Sequence, residues 1–183
     1  MDALTESTRH LLALRLLARH ARISIVHHET GLSRGHLRAL YRDLHHRSPK
    51  SGQLPAVGCS AIRSRRQQVH GSLFAALYAA HGGPGIHQQM DIYAVVRAYD
   101  TFLMMVGGTT GAEIDLNVCW VIARDLRIGT SRLLYCARCT VRYLVSDNAR
   151  APASCPLCAL YARHQCRPSV ENAAGKAATA SPG

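Results

Sequence analysis

No stretch of the chain stays apolar long enough to cross a bilayer, since a spanning helix needs about 20 such residues. A secretory signal is missing too: Asp2 and Glu6 precede the first apolar run, Arg15 interrupts it, and no small-residue cleavage site follows. The expected compartment is therefore the cytoplasm, with no membrane partner. Catalytic signatures are absent as well. There is no Gly-rich phosphate loop, no His-Glu-x-x-His and no nucleophile placed with a matching base, so no enzymatic activity is expected. Aromatic residues make up only 5% of the chain, few for stacking single-stranded bases. Acidic residues are scarce, 11 against 22 Lys and Arg.

That imbalance is distributed unevenly. Residues 1–66 hold 12 Lys and Arg against 4 Asp and Glu, residues 67–130 hold 3 against 5, and residues 131–183 hold 7 against 2. Both ends are basic and the middle is not. Two separated basic regions are the footprint of a protein that follows a phosphate backbone, although charge alone does not distinguish DNA from RNA or an anionic membrane.

The strongest chemical signal is Cys136-Ala-Arg-Cys139 followed by Cys155-Pro-Leu-Cys158. Two such pairs can supply four thiolates to one Zn²⁺ and close its tetrahedral shell, which makes a structural site with no open position. A redox pair would leave the second pair unexplained, and two disulfides fit a reducing compartment poorly. Leu133–Tyr135 and Val141–Val145 read as short strands around the first pair, and 148–152 as a turn, giving a zinc-ribbon-like module too small to bury a core unaided. Cys59, Cys119 and Cys166 stand outside it.

Near the other end, residues 23–47 fit a helix-turn-helix. Val26 packs inside a first short helix, Gly31 supplies a left-handed turn, Leu32 tucks beneath it, and Ser33 caps a second helix. There Leu37, Leu40, Tyr41 and Leu44 point inward while Arg34, Arg38 and Arg42 stand four apart on the outer side. His27 occupies a place where a small residue is more usual, and Gly35 weakens the helix. The helix before this unit carries two apolar stripes: Leu4, Leu11, Leu14, Ala18 and Ala21, and beside it Leu12, Leu16 and Ile23. A second stripe suits burial against another subunit or another part of the chain.

Taken together, Thr30–Tyr41, Ser48–Pro55, Val69-His-Gly-Ser72 and the two Cys-x-x-Cys pairs resemble the flagellar transcriptional regulator FlhC family over roughly residues 5–165. The resemblance implies a bacterial DNA-binding activator of flagellar genes, working in a hetero-oligomer with FlhD, commonly a hexamer. It also implies one structural Zn²⁺ on Cys136, Cys139, Cys155 and Cys158. The expected contacts to double-stranded promoter DNA are Arg34, His36, Arg38 and Arg42 at one end and Arg138 and Arg142 at the other. Leu12 and Leu16 are expected to seat FlhD, and RNA polymerase is a further expected partner. Residues 56–66 lack the aromatics that the family tends to carry there. A regulator of non-flagellar genes therefore stays open as an alternative, and so does an RNA-binding zinc protein, since charge alone does not separate RNA from DNA.

The expected architecture is mainly α. A helical domain covers 1–130, with the helix-turn-helix-like segment at 23–47. A zinc module covers 131–166, and 167–183 form a disordered tail of Ala, Ser, Gly and Pro. Within the domain, Val69, Leu73, Ala76, Leu77 and Ala80 form one core stripe. Ile92, Val95, Val96, Tyr99, Phe102, Leu103 and Val106 form a second; Ile114, Val118, Val121, Ile122 and Leu126 form a third, with Trp120 beside it. His70, His81 and His87 are read as surface or hydrogen-bonded residues, not a second metal site.

Overall fold

Side-chain caps set most of the helix starts in the computed structural model, which describes residues 3–52, 54, 62–147 and 154–165. The expected tail at 167–183, the turn at 148–152, and Cys59 and Cys166 lie outside the described residues. Helix α1 (Ala3–Ala18) leads into α2 (Ile23–Thr30) and α3 (Arg34–His45). Next come α4 (Arg65–Gly82), a 3₁₀ turn (Gly83–His87), α5 (Ile92–Val106) and α6 (Leu116–Ile128). The hairpin of β1 (Ser131–Tyr135) and β2 (Arg142–Ser146) and helix α7 (Pro156–Gln165) complete the described chain. It is mainly helical, with the four cysteines gathered in its C-terminal region.

Ser33 accepts from the His36 N–H to start α3, and Asp91 and Asp115 cap α5 and α6 in the same way. Ser64 and Gln67 form a reciprocal capping box at α4. Gly31, Gly107 and Gly129 end α2, α5 and α6 in the left-handed region.

Leu16, Leu17, Val26, Leu37 and Tyr41 are buried where α1, α2 and α3 meet. Phe74, Tyr78, Val95, Phe102, Val121, Ile122 and Leu126 continue the same core through α4, α5 and α6. Polar links join the first three helices to the rest. Arg19 donates twice to the Asp100 carboxylate at 2.7 Å, the Arg22 N–H to Asn117 Oδ1 at 2.8 Å, and Trp120 Nε1 to Glu29 Oε1 at 2.8 Å.

Helix α4 departs from the expected stripe. Its buried face is Gln68, Gly71, Ser72, Phe74, Ala75 and Tyr78, while Leu73 and Leu77 are only partly buried. Gly71 and Ser72 share that face with Phe74 and Tyr78 because the hairpin comes very close to it there. A Cβ on Gly71 would lie 3.1 Å from Ile62 Cδ1 and 3.5 Å from Leu144 Cδ2. Ser72 Oγ accepts the Leu144 N–H at 2.9 Å and donates to the Gln68 carbonyl at 2.6 Å. The hairpin pairs antiparallel with Leu133 opposite Leu144, and Leu144 belongs to the common core.

Candidate metal centre and nucleic-acid interface

Cys136 and Cys139 lie at the tip of the hairpin, where the chain must reverse within a few residues. The Thr140 N–H donates to the Cys136 carbonyl at 2.8 Å and the Cys136 N–H to the Val141 carbonyl at 3.0 Å. Thr140 takes φ 57°, a strained value for a β-branched residue. The second pair sits at the start of a helix, not in a second strand knuckle: Cys155 immediately precedes α7, Pro156 is its first residue, and Cys158 lies in its first turn. Proline is pre-set for a first helical position, and the positive end of a helix favours thiolates.

The four Sγ atoms all lie within 4.8 Å of one another. Cys136 and Cys158 are 3.8 Å apart, and Cys139 and Cys155 3.5 Å. Zn–S bonds of about 2.3 Å in a tetrahedron require S···S edges of about 3.8 Å, so the donor set fits such an ion. Without one, the thiols cannot all ionise together. The backbone N–H groups of Cys139 and then Arg138 draw the Cys136 thiol down to about 6, whereas burial and then the neighbouring thiols push Cys158 up to about 12. The four cysteines could hold a metal ion. Arg65 ties the second pair to α4, donating to the Ser154 carbonyl and hydroxyl at 3.2 Å each.

On α3, Leu37 and Tyr41 are buried, whereas Arg34, His36, Arg38 and Arg42 are exposed. Leu44 is a correction: it is 43% exposed, because the last turn of α3 meets the body through His45, whose Nε2 lies 2.9 Å from the Leu17 carbonyl. His27, at the place where a small residue was expected, uses its ring, with Nδ1 2.8 Å from the Leu32 carbonyl. That bond bridges the turn a smaller side chain would leave to packing. Arg138 and Arg142 are exposed on the hairpin. Among the described residues, none of these five arginines pairs with a carboxylate. Arg19, Arg66, Arg97, Arg124 and Arg132 do pair. Arg15, Arg47 and Arg127 are likewise exposed without a carboxylate partner among the described residues, so what sets Arg34, Arg38 and Arg42 apart is their shared place on the outer side of α3.

A family model described as the flagellar transcriptional activator FlhC matches residues 2–169. The chain belongs to the FlhC family. Flagellar transcriptional regulators FlhC from three bacteria illustrate the distance. The protein of Gallionella capsiferriformans is 29% identical over 151 residues, covering 79% of each chain. That of Proteus mirabilis is 30% identical over 154 residues, 81% of this chain and 76% of its own. That of Serratia marcescens is 29% identical over 153 residues, 81% and 75%. The family is one of transcriptional regulators, and no helix among the described residues is long and apolar enough to cross a membrane.

Within this FlhC-family chain, Leu12 and Leu16 do not face outward. Leu16 is fully buried and Leu12 nearly so, because this stripe of α1 packs on α2 and α3. The other stripe is the open one: Leu4 is 73%, Leu11 58% and Leu14 37% exposed. His70, His81 and His87 have separate roles. Glu113 N–H donates to His70 Nδ1 at 3.0 Å, His81 meets Thr101 Oγ1 at 3.3 Å, and His87 the Leu126 carbonyl at 3.4 Å. Arg22 and Lys50, unremarked in the sequence, line a cavity of about 280 Å³ together with Arg34 and Arg38. Lys50 lies within the Ser48–Pro55 motif, and that is the signal that could have found it.

Proposed function

We propose that this chain is a cytoplasmic DNA-binding subunit of a transcription activator, assembled with FlhD in a hetero-oligomer, a hexamer in our reading, at promoters of flagellar genes. The observation that carries this is the set of exposed, unpaired arginines on α3, whose inner face is fixed into the core by Leu37 and Tyr41. A helix held in this manner can enter a major groove with Arg34, His36, Arg38 and Arg42 outward. Arg138 and Arg142 form a second contact on the hairpin, and RNA polymerase binds the assembled complex.

One structural Zn²⁺ per chain sits on Cys136, Cys139, Cys155 and Cys158. Its chemistry is to bind four thiolates and fix the hairpin tip to the start of α7. The partner FlhD meets the open stripe Leu4, Leu11 and Leu14 of α1, while Leu12 and Leu16 hold α1 in shape from behind.

The test is to co-express the chain with FlhD, measure zinc per subunit, and footprint the complex on promoter duplex in competition with RNA of the same sequence. A protected promoter segment resistant to RNA competition supports the reading. Preference for RNA would replace it with that of an RNA-binding zinc protein. Leu11→Asp should block co-purification with FlhD while zinc stays bound.

A further inference from the structure

Four cationic side chains and an uncapped helix start converge beside α3. Arg22, Arg34, Arg38 and Lys50 line the cavity of about 280 Å³ with Ile23 and Ser24, and no carboxylate lines it. Helix α2 begins on extended backbone at Arg22 with no side-chain cap, so its first turn offers N–H donors to an anion. The wall opposite is built deliberately. Arg22 Nη1 donates to the Gly52 carbonyl at 2.7 Å and reaches the Ser51 carbonyl at 3.5 Å, which holds residues 50–52 against the helix start. The neighbouring cavity of about 630 Å³ differs in kind, since Glu113 and Asp115 line it as well as cations.

We infer that the smaller cavity binds one phosphodiester group of the DNA backbone, with Arg34, Arg38 and Lys50 as its cationic walls and the first turn of α2 as its neutral donor. The inference rests on the DNA reading above and divides the labour within it. Planar guanidiniums and a lysine around a helix N-terminus suit a tetrahedral anion. Such a contact sets register and affinity but carries no sequence information. Base reading then belongs to side chains outside the cavity, His36 and Arg42.

Lys50 and Lys176 are the two lysines of the chain, so lysine chemistry reports this cavity almost alone. The zinc-loaded full chain, co-purified with FlhD, is titrated with promoter duplex and a scrambled duplex over a range of salt. Lys50→Gln is compared with Arg127→Gln, an exposed arginine on α6. Lys50→Gln should weaken both duplexes by the same factor and reduce the salt slope by about 1, with Arg127→Gln unchanged. In a set of duplexes each carrying one neutral methylphosphonate, one position should weaken wild type and leave Lys50→Gln indifferent. Reductive methylation of Lys50, read by mass spectrometry, should be blocked by duplex and not by inorganic phosphate at equal phosphate concentration.

Three results overturn the inference while leaving DNA binding intact. They are a Lys50→Gln variant silent on both duplexes, a Lys50→Gln variant with a changed preference between them, and methylation blocked by inorganic phosphate alone. Failure of wild type to bind duplex in preference to RNA overturns the DNA reading and this inference together, and is distinguishable because it appears before any variant is made.

Discussion

Ser72 shows how a single small side chain fixes the geometry of a neighbouring element. Its hydroxyl is the acceptor for the Leu144 N–H, a main-chain donor in a buried setting. Ser72→Ala removes that acceptor and leaves the donor unsatisfied, which costs about 1–3 kcal/mol, to be measured by denaturant unfolding of the zinc-loaded protein. Gly71 has a steric role, because any larger residue meets Ile62, Ile122 and Leu144. His70, Gly71 and Ser72 thus explain a short motif by three separate contacts: a hydrogen bond to the Glu113 main chain, a close approach and a main-chain acceptor. Trp120 acts at the same scale. Its indole N–H satisfies Glu29, whose side chain is only 10% exposed. Trp120→Phe keeps a ring in place but strips a nearly buried carboxylate of a donor; a lower melting temperature checks it.

At the scale of elements, α3 and the cysteine-bearing hairpin behave differently. Gly35 lies within α3, exposed, and a Cβ there meets nothing within 4 Å. Gly35→Ala is expected to stabilise the protein by about 1 kcal/mol, read from the shift in denaturant midpoint. The hairpin has two anchors, the core contact of Leu144 and the cysteine cluster. Helix α7 has the cysteines and the Arg65 contacts to Ser154. Chelation should therefore melt the hairpin tip and α7 while α1 to α6 persist, seen as a partial loss of far-UV ellipticity that returns on adding zinc. An unchanged spectrum would show that these cysteines hold no folding metal.

Across the whole molecule, the joint between the helix-turn-helix unit and the body carries its own pH dependence. His20, at φ 59°, packs against His45 with tilted rings whose centroids are 4.2 Å apart and shares a hydrogen bond with the Tyr41 hydroxyl at 3.2 Å. Burial, then the charges of His45, Arg47 and Lys50, hold its pKa below the usual 6.5. Burial chiefly lowers His70 too. Below about pH 7 the unfolded chain therefore binds protons at these sites before the folded chain does, and stability falls as pH drops through 6.5, levelling once the folded histidines also protonate. His20→Asn, which tolerates a left-handed backbone, should reduce that slope in melting temperatures measured from pH 7.5 to pH 5. An unchanged slope would remove His20 from this role.

The sequence by itself determined the chemistry and the local signals. Spacing alone paired Cys136 and Cys139 with Cys155 and Cys158, and cap residues such as Ser33 and Gly31 marked the turn before α3, because these features act over a few residues and need no distant partner. The family resemblance was legible for the same reason, in short motifs. Tertiary structure decided which faces turn inward. Leu12 and Leu16 became core and Leu4 and Leu11 surface; on α4 the buried face passed to Gly71 and Ser72. Hydrophobicity cannot predict those choices when both stripes are apolar or when close approach selects the smallest side chains. Only the folded chain brought Lys50 and Arg22 to Arg34 and Arg38, since the cavity depends on carbonyls of residues 51 and 52 meeting a guanidinium 29 or 30 residues earlier.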